Sequence, residues 1–248
     1  RPYQPFGPIT YYESGRDAIT HQLQLGALRR FSAGFAFQFE YQFTKALGEQ
    51  IHVLPPMDNR NTRLDRGNLD TIRQHFAAIN YIYDLPFGRG KRFGSSASGV
   101  VGALVSGWQI AGISTIGSGE PYSVTFTSTT LGWPSSRADI VGDPKVSNPS
   151  TQQWFNPNAF PVPAPFLYGN SARNLLFGPG FFGWDAAVFK NTQLTERLRL
   201  EFRAEFFNIL NHPNFGVPAS NISVPATVGR ISTATDPRDI QFGMRLAF

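Results

Sequence analysis

From Phe31 to Thr44 apolar and polar positions alternate without a break. Phe31, Ala33, Phe35, Phe37, Phe39, Tyr41 and Phe43 fall on one side, and Ser32, Gly34, Ala36, Gln38, Glu40, Gln42 and Thr44 on the other. A period of two predicts a β-strand, because successive side chains of a strand point to opposite faces. Strands of soluble sheets are mostly about 5–6 residues long. At about 3.4 Å per residue this run reaches roughly 40 Å, which at a tilt near 45° crosses about 30 Å of hydrocarbon.

The same rhythm returns near the C-terminus. In the run Leu198 to Asn208, Leu198, Leu200, Phe202, Ala204 and Phe206 oppose Arg199, Glu201, Arg203 and Glu205. An unbroken apolar side behind a charged one fits a wall between lipid and a wet lumen, with the charges placed to pair across neighbouring strands. In the last run, Arg238 to Phe248, Ile240, Phe242, Met244, Leu246 and Phe248 alternate with Asp239, Gln241, Gly243, Arg245 and Ala247. Weaker alternation predicts strands over 18–29, 75–84, Trp108 to Phe126 and Trp184 to Lys190, about seven in all. Gly residues and Pro121 weaken the second half of the Trp108–Phe126 run.

The predicted links differ in length. A tight one lies near Arg29–Arg30 and another spans Thr192–Arg197, whereas 45–74, 127–183 and 209–237 are long. Short turns on one side and long loops on the other are the habit of outer-membrane barrels. With the C-terminus at the periplasmic end, all three long loops fall outside. The exception is 85–107, on the periplasmic side, where a short helix is expected around Val100–Val105. The link 127–183 is rich in Pro, Asn and Ser, which suits an external ligand-facing or protective loop.

Composition agrees with this pattern. Only 16% of the 248 residues are charged, while Phe occurs 23 times. Mean hydropathy is nevertheless −0.21, as expected when each strand averages an apolar face with a polar one. The net charge of +5 is scattered. Its densest cluster, Arg89, Lys91 and Arg92, is too small for a nucleic-acid footprint. There is no Cys, hence no disulfide framework or thiolate metal site. No run of 18 strongly apolar residues predicts a spanning helix, and residues 1–17 do not read as a signal peptide, so the chain is expected to begin within a longer protein.

Candidate chemistry is sparse. His21, His52, His75 and His212 lack any metal-ligand spacing, and Gly88-Arg89-Gly90 is followed by no Gly-Lys-Ser/Thr of a phosphate loop. Asp58, Asp65 and Asp70 do not have EF-hand spacing and are expected to be flexible loop charges. Glu201 and Glu205 sit beside Arg199 and Arg203, which suggests charge pairing rather than acid–base work. No catalytic residue, metal site or cofactor is predicted. Tyr41, Tyr81, Tyr83, Trp108 and Trp184 suit either interfacial girdles or plain strand packing.

Four phrases carry a family resemblance: YDLPFGRGKRFG from Tyr83, TQQWFNPNAF from Thr151, GNSARNLLFGPGFFGWDAAVFKN from Gly169 and LRLEFRAEFFNILNHPNFG from Leu198. Together they resemble the C-terminal barrel region of TonB-dependent receptors, in particular the Oar-like members with a carboxypeptidase-regulatory-like N-terminal domain. TKALGE from Thr44 is similar to that group's strand-end phrase SKSLDD but departs from it at Ala46 and Gly48. The resemblance covers nearly the whole chain. It implies a barrel of about 22 strands with a plugged lumen, uptake of a scarce nutrient of unidentified class, and energy from the TonB complex. The plug, regulatory domain and TonB contact would precede Arg1. The terminal Phe248, with apolar residues at every second position before it, is similar to the signal read by the barrel assembly machinery.

The expectation for 1–248 is therefore an all-β, antiparallel transmembrane barrel segment of about seven strands in the outer membrane, forming an open curved sheet in isolation. Phe35, Phe37, Phe39, Tyr41, Phe202, Phe206 and Phe242 are expected to face lipid. Glu40, Arg199, Glu201, Arg203 and Glu205 are expected to face the lumen. The expected partners are outer-membrane lipid, the assembly machinery, TonB through the N-terminal part, and an unknown ligand; nucleic acid is not among them. The alternative is a secreted β-sandwich that binds glycan or peptide and holds the apolar faces of two sheets together.

Overall fold

The computed structural model describes residues 15–49, 56–58, 60–128 and 136–248. One antiparallel sheet dominates: β1 (Ala18–Ser32), β2 (Phe35–Gly48), β3 (His75–Asp84), β4 (Trp108–Gly117), β5 (Phe181–Gln193), β6 (Arg199–Phe207) and β7 (Asp239–Ala247), with one helix, α1 (Gly99–Val105). Each of these strands pairs with the next in sequence, giving an up-and-down meander. The sheet does not close on itself among the described residues: β1 and β7 are its two edges, and all 15 residues of β1 are exposed. A two-residue strand, Gly67–Asn68, extends the pairing beside the end of β2.

The first hairpin departs from expectation. The tight link is not at Arg29–Arg30, and Phe31 and Ala33 do not belong to the β2 face. β1 continues to Ser32, and the chain reverses at Ala33 and Gly34, with φ of 52° and 80°. Two consecutive positive φ values match the right-handed twist of the flanking strands, as two-residue hairpins require. A bulge between Arg29 and Ser32 absorbs one extra residue of β1.

Register decides which side chains share a face. Arg29 pairs with Phe37, Phe37 with Tyr81, Tyr81 with Gly112, Gly112 with Ala186, Ala186 with Phe206 and Phe206 with Ile240. Partners directly opposite in an antiparallel pair point to the same side. One face of the sheet is therefore a nearly continuous apolar field, and no second sheet packs on it among the described residues. The sandwich alternative, which needs such a sheet, finds no counterpart there.

The opposite face is concave. Leu28, Gln38, Ile82, Ile113, Ala187 and Phe207, drawn from β1 to β6, line a single hollow of about 480 Å³.

Apart from Ala46 and Ala204, the buried apolar residues lie outside the wall strands. Most belong to the links 118–180 and 208–238, which gather at the end of the sheet where β2, β4 and β6 finish. Tyr122, Val124, Phe126, Ala138, Phe155, Ala159 and Phe160 form a buried cluster, flanked by Trp154, Leu176, Ile222 and Val228. The strand expected over Trp108 to Phe126 stops at Gly117. Pro121–Tyr122 and Thr125–Phe126 pair instead with Leu176–Phe177 and Ser136–Arg137 inside this cap.

Candidate functional site

Two regions have the shape of a functional surface: the two-faced wall and the cap at its end. On the wall, register puts Phe35, Phe37, Phe39, Tyr41, Phe202, Phe206 and Phe242 together on the convex, apolar face. Glu40, Arg199, Glu201, Arg203 and Glu205 stand together on the concave face. Glu201 lies directly opposite Arg245, Arg203 Nε approaches Glu205 Oε2 at 3.7 Å along the strand, and Gln38 donates to Glu40 at 2.6 Å. The ion pair described among these wall charges thus runs along β6 rather than across strands.

Charge is sorted more sharply than hydropathy. Within the paired registers every strand carboxylate, including Glu40, Asp84, Asp185, Glu201, Glu205 and Asp239, lies on the concave face. The cations of the convex face stand towards the strand ends: Arg29 and Lys190 near the turns, Lys45 near the cap. A long basic side chain at such a position buries its stem on apolar surface and keeps its charge at a membrane interface. Among the aromatics, Tyr83 and Trp108 lie at the turn end of the convex face, whereas Tyr81 and Trp184 lie within the strands and bond to each other.

The cap is fastened by buried charges. Asp65, 1% exposed, ends a 3-10 turn (Thr62–Asp65) in the first long link. Its carboxylate accepts from Arg137 Nη1 at 2.7 Å and from the Met57 N–H at 3.1 Å. Arg137 also donates to the carbonyls of Ser171 (3.1 Å) and Leu64. Beside this pair Arg173 bonds Asp70, whose other oxygen accepts from Asn174 at 2.6 Å. Asn68 and Asn174 exchange side-chain-to-carbonyl bonds at 2.8 Å in both directions. Asp65 and Asp70 are thus ion-paired anchors, not the flexible charges expected, and Asp58 accepts from the Arg60 N–H at 2.9 Å.

The third link joins through its backbone. Trp154 N–H donates to Gly229, Ile231 N–H to Thr151 and Ile222 N–H to Thr125, each at 2.8 Å. The three links therefore make one folded unit. Alternating burial of Thr44, Ala46 and Gly48 at the end of β2 marks the concave face as the side that this unit covers. Val162, Phe166, Leu167 and Tyr168 remain exposed on the cap. Burial raises the Tyr122 phenol above its ordinary range, and its hydroxyl finds no partner among the described residues.

No group of three or more His, Cys, Asp or Glu among the described residues is arranged to hold a metal. His52 lies outside the described residues. His75 Nδ1 shares a 2.9 Å bond with the Tyr41 hydroxyl, and His212 packs edge-on against Phe182. No helix of the described residues is long and apolar enough to cross a membrane, which leaves crossing by strands open.

Comparison with protein families matches residues 1–241 to the outer membrane beta barrel domain. Neither curated proteins nor solved structures give a match.

Proposed function

We propose that this chain, which belongs to the outer membrane beta barrel domain family and so resides in the bacterial outer membrane, forms part of the wall and external mouth of a TonB-dependent, Oar-like receptor for nutrient uptake. The single observation that carries this reading is the sorting of the wall: a convex apolar face free of carboxylates, with its few cations towards the strand ends, and a concave face holding every strand carboxylate. A sheet that separates lipid from a watery interior needs that division, and among the described residues no second sheet covers the apolar face, as a soluble sheet would require.

In this reading Phe35, Phe37, Phe39, Tyr41, Phe202, Phe206 and Phe242 touch lipid, and Glu40, Arg199, Glu201, Arg203 and Glu205 line the lumen. The cap lies outside, at the end opposite the turns, and presents Val162, Phe166, Leu167 and Tyr168 to an extracellular ligand. Energy coupling through TonB would require segments beyond these residues. The alternation from Ile240 to Phe248 would be read by the barrel assembly machinery. The chain has no catalytic role in this reading.

The test is expression with a secretory signal followed by separation of inner and outer membranes. Outer-membrane recovery that is lost on deletion of Phe248 supports the reading. Recovery as a folded, soluble periplasmic protein overturns it.

A further inference from the structure

The link 85–107 is the one long connection at the turn end of the wall. It folds back on itself. Gly88 and Phe93 bond through their backbones at 2.8 Å, and the Phe87 and Phe93 rings pack with centroids 5.8 Å apart. The Arg89 N–H donates to Ser106 Oγ at 3.0 Å and ties this loop to the end of α1. The sequence of α1, GVVGALV, contains no polar side chain, yet Val100, Val101 and Leu104 are 77%, 61% and 64% exposed.

The side of the wall on which α1 lies is fixed by its anchors. Lys190 Nζ donates to the Ala103 carbonyl at 2.7 Å and also to that of Ser106. The Trp108 indole donates to the Leu104 carbonyl at 2.8 Å. Lys190 and Trp108 pair with each other in register and both belong to the convex, apolar face. A cation and an indole thus satisfy the carbonyls left free at the helix C-terminus and hold α1 against the face that carries Phe37 and Phe206.

We propose that α1 and its hairpin form an interfacial wedge, seated in the periplasmic leaflet of the outer membrane against anionic phospholipid. This rests on the convex face being the lipid face. Two observations select lipid as the occupant. The exposed valines and leucine continue the apolar field of the wall at its rim, so a bilayer that covers one meets the other. The exposed charge nearby is basic: Arg29 on the convex face, and Arg89 and Arg92 exposed on the hairpin that is tied to the end of α1, while Lys91 turns away to Asp84 on the concave face at 3.6 Å. An apolar ridge bordered by basic residues matches acyl chains bordered by phosphates.

The chain contains no Cys, so single labels report unambiguously. The full chain is reconstituted in phosphatidylethanolamine vesicles with and without phosphatidylglycerol, carrying a fluorophore at Val101→Cys, at Ile79→Cys on the convex face, or at Ala78→Cys on the concave face. Lipids brominated along the acyl chain serve as quencher. The expected result is quenching at 101 and 79 but not at 78. Arg89→Ser with Arg92→Ser should reduce quenching at 101 by roughly half where phosphatidylglycerol is present, without changing position 79. Quenching at 79 without quenching at 101 overturns the wedge and leaves the wall reading standing. Absence of quenching at 79 overturns both. A label at 101 that is immobile yet unquenched places α1 against the protein's own surface or a second copy and also overturns the wedge.

Discussion

Trp184 donates its indole N–H to the Tyr81 hydroxyl at 3.1 Å although β4 runs between their strands. The bond is formed because β4 carries Gly112 opposite Tyr81; a Cβ there would stand 2.5 Å from the phenol oxygen. On the proposed lipid face both polar atoms would otherwise lack a partner. Tyr81→Phe should therefore destabilise the wall by about 1–3 kcal/mol, the cost of an orphaned donor. Tyr81→Phe combined with Trp184→Phe should recover most of that loss, and Gly112→Val should mimic the single change. Urea unfolding in vesicles measures all three, and equal effects of the single and double changes would discount the bond.

The two faces should tolerate charge unequally. Phe37→Arg places a guanidinium on the convex face and is expected to cost roughly 2–4 kcal/mol near the bilayer centre. Glu40→Arg puts the same group on the concave face and should be milder. The same unfolding assay decides; equal costs would remove the distinction between faces.

Asp65 and Arg137 make a separate prediction, for the cap. Asp65→Ala leaves the guanidinium buried without its carboxylate and should cost about 3–5 kcal/mol of cap stability. Replacing both with apolar residues of similar volume should cost far less. Limited proteolysis of 118–180, with the wall strands as internal control, reads the difference.

The Tyr122 phenol gives a pH dependence. Its folded pKa is raised by burial, so the neutral form is the one the cap favours. The associated stability is complete below the ordinary phenol value of about 10 and declines as pH rises past it, because the unfolded chain ionises first. Cap opening should therefore increase in that alkaline range. Tyr122→Phe should abolish this part of the transition at little cost, since the hydroxyl has no partner among the described residues. Near-ultraviolet circular dichroism against pH tests both statements.

The wall was legible in the sequence because its signal is local and periodic. His75–Asp84 follows from alternation alone, and so does the division of Phe202 and Phe206 from Arg203 and Glu205. The first turn was not. A two-residue hairpin at Ala33–Gly34 hardly interrupts a period of two, so Phe31 and Ala33 look like part of the strand that follows them. The cap was hidden for the opposite reason. Tyr122, Val124 and Phe126 alternate as a strand would, but their partners Phe155 and Phe160 lie far along a link whose prolines and asparagines read as open loop. No periodicity connects Asp65 to Arg137. Even so, TQQWFNPNAF and GNSARNLLF, which carry part of the family resemblance, contain Trp154, Phe155, Phe160, Arg173 and Asn174, the groups that pack and fasten the cap.

The clasp between Asp65 and Arg137 has a consequence for how such proteins diversify. The second and third long links leave and re-enter the wall at paired strand ends, Gly117 with Phe181 and Phe207 with Asp239, so the wall imposes little on what lies between. The cap imposes more. A graft of 118–180 alone from a relative would bring a foreign partner to Asp65 and Asp70 and leave the buried Asp65 carboxylate without its matched guanidinium. The first two links are heritable as a pair, and a change of recognition surface that alters one side of the clasp must exchange the other with it.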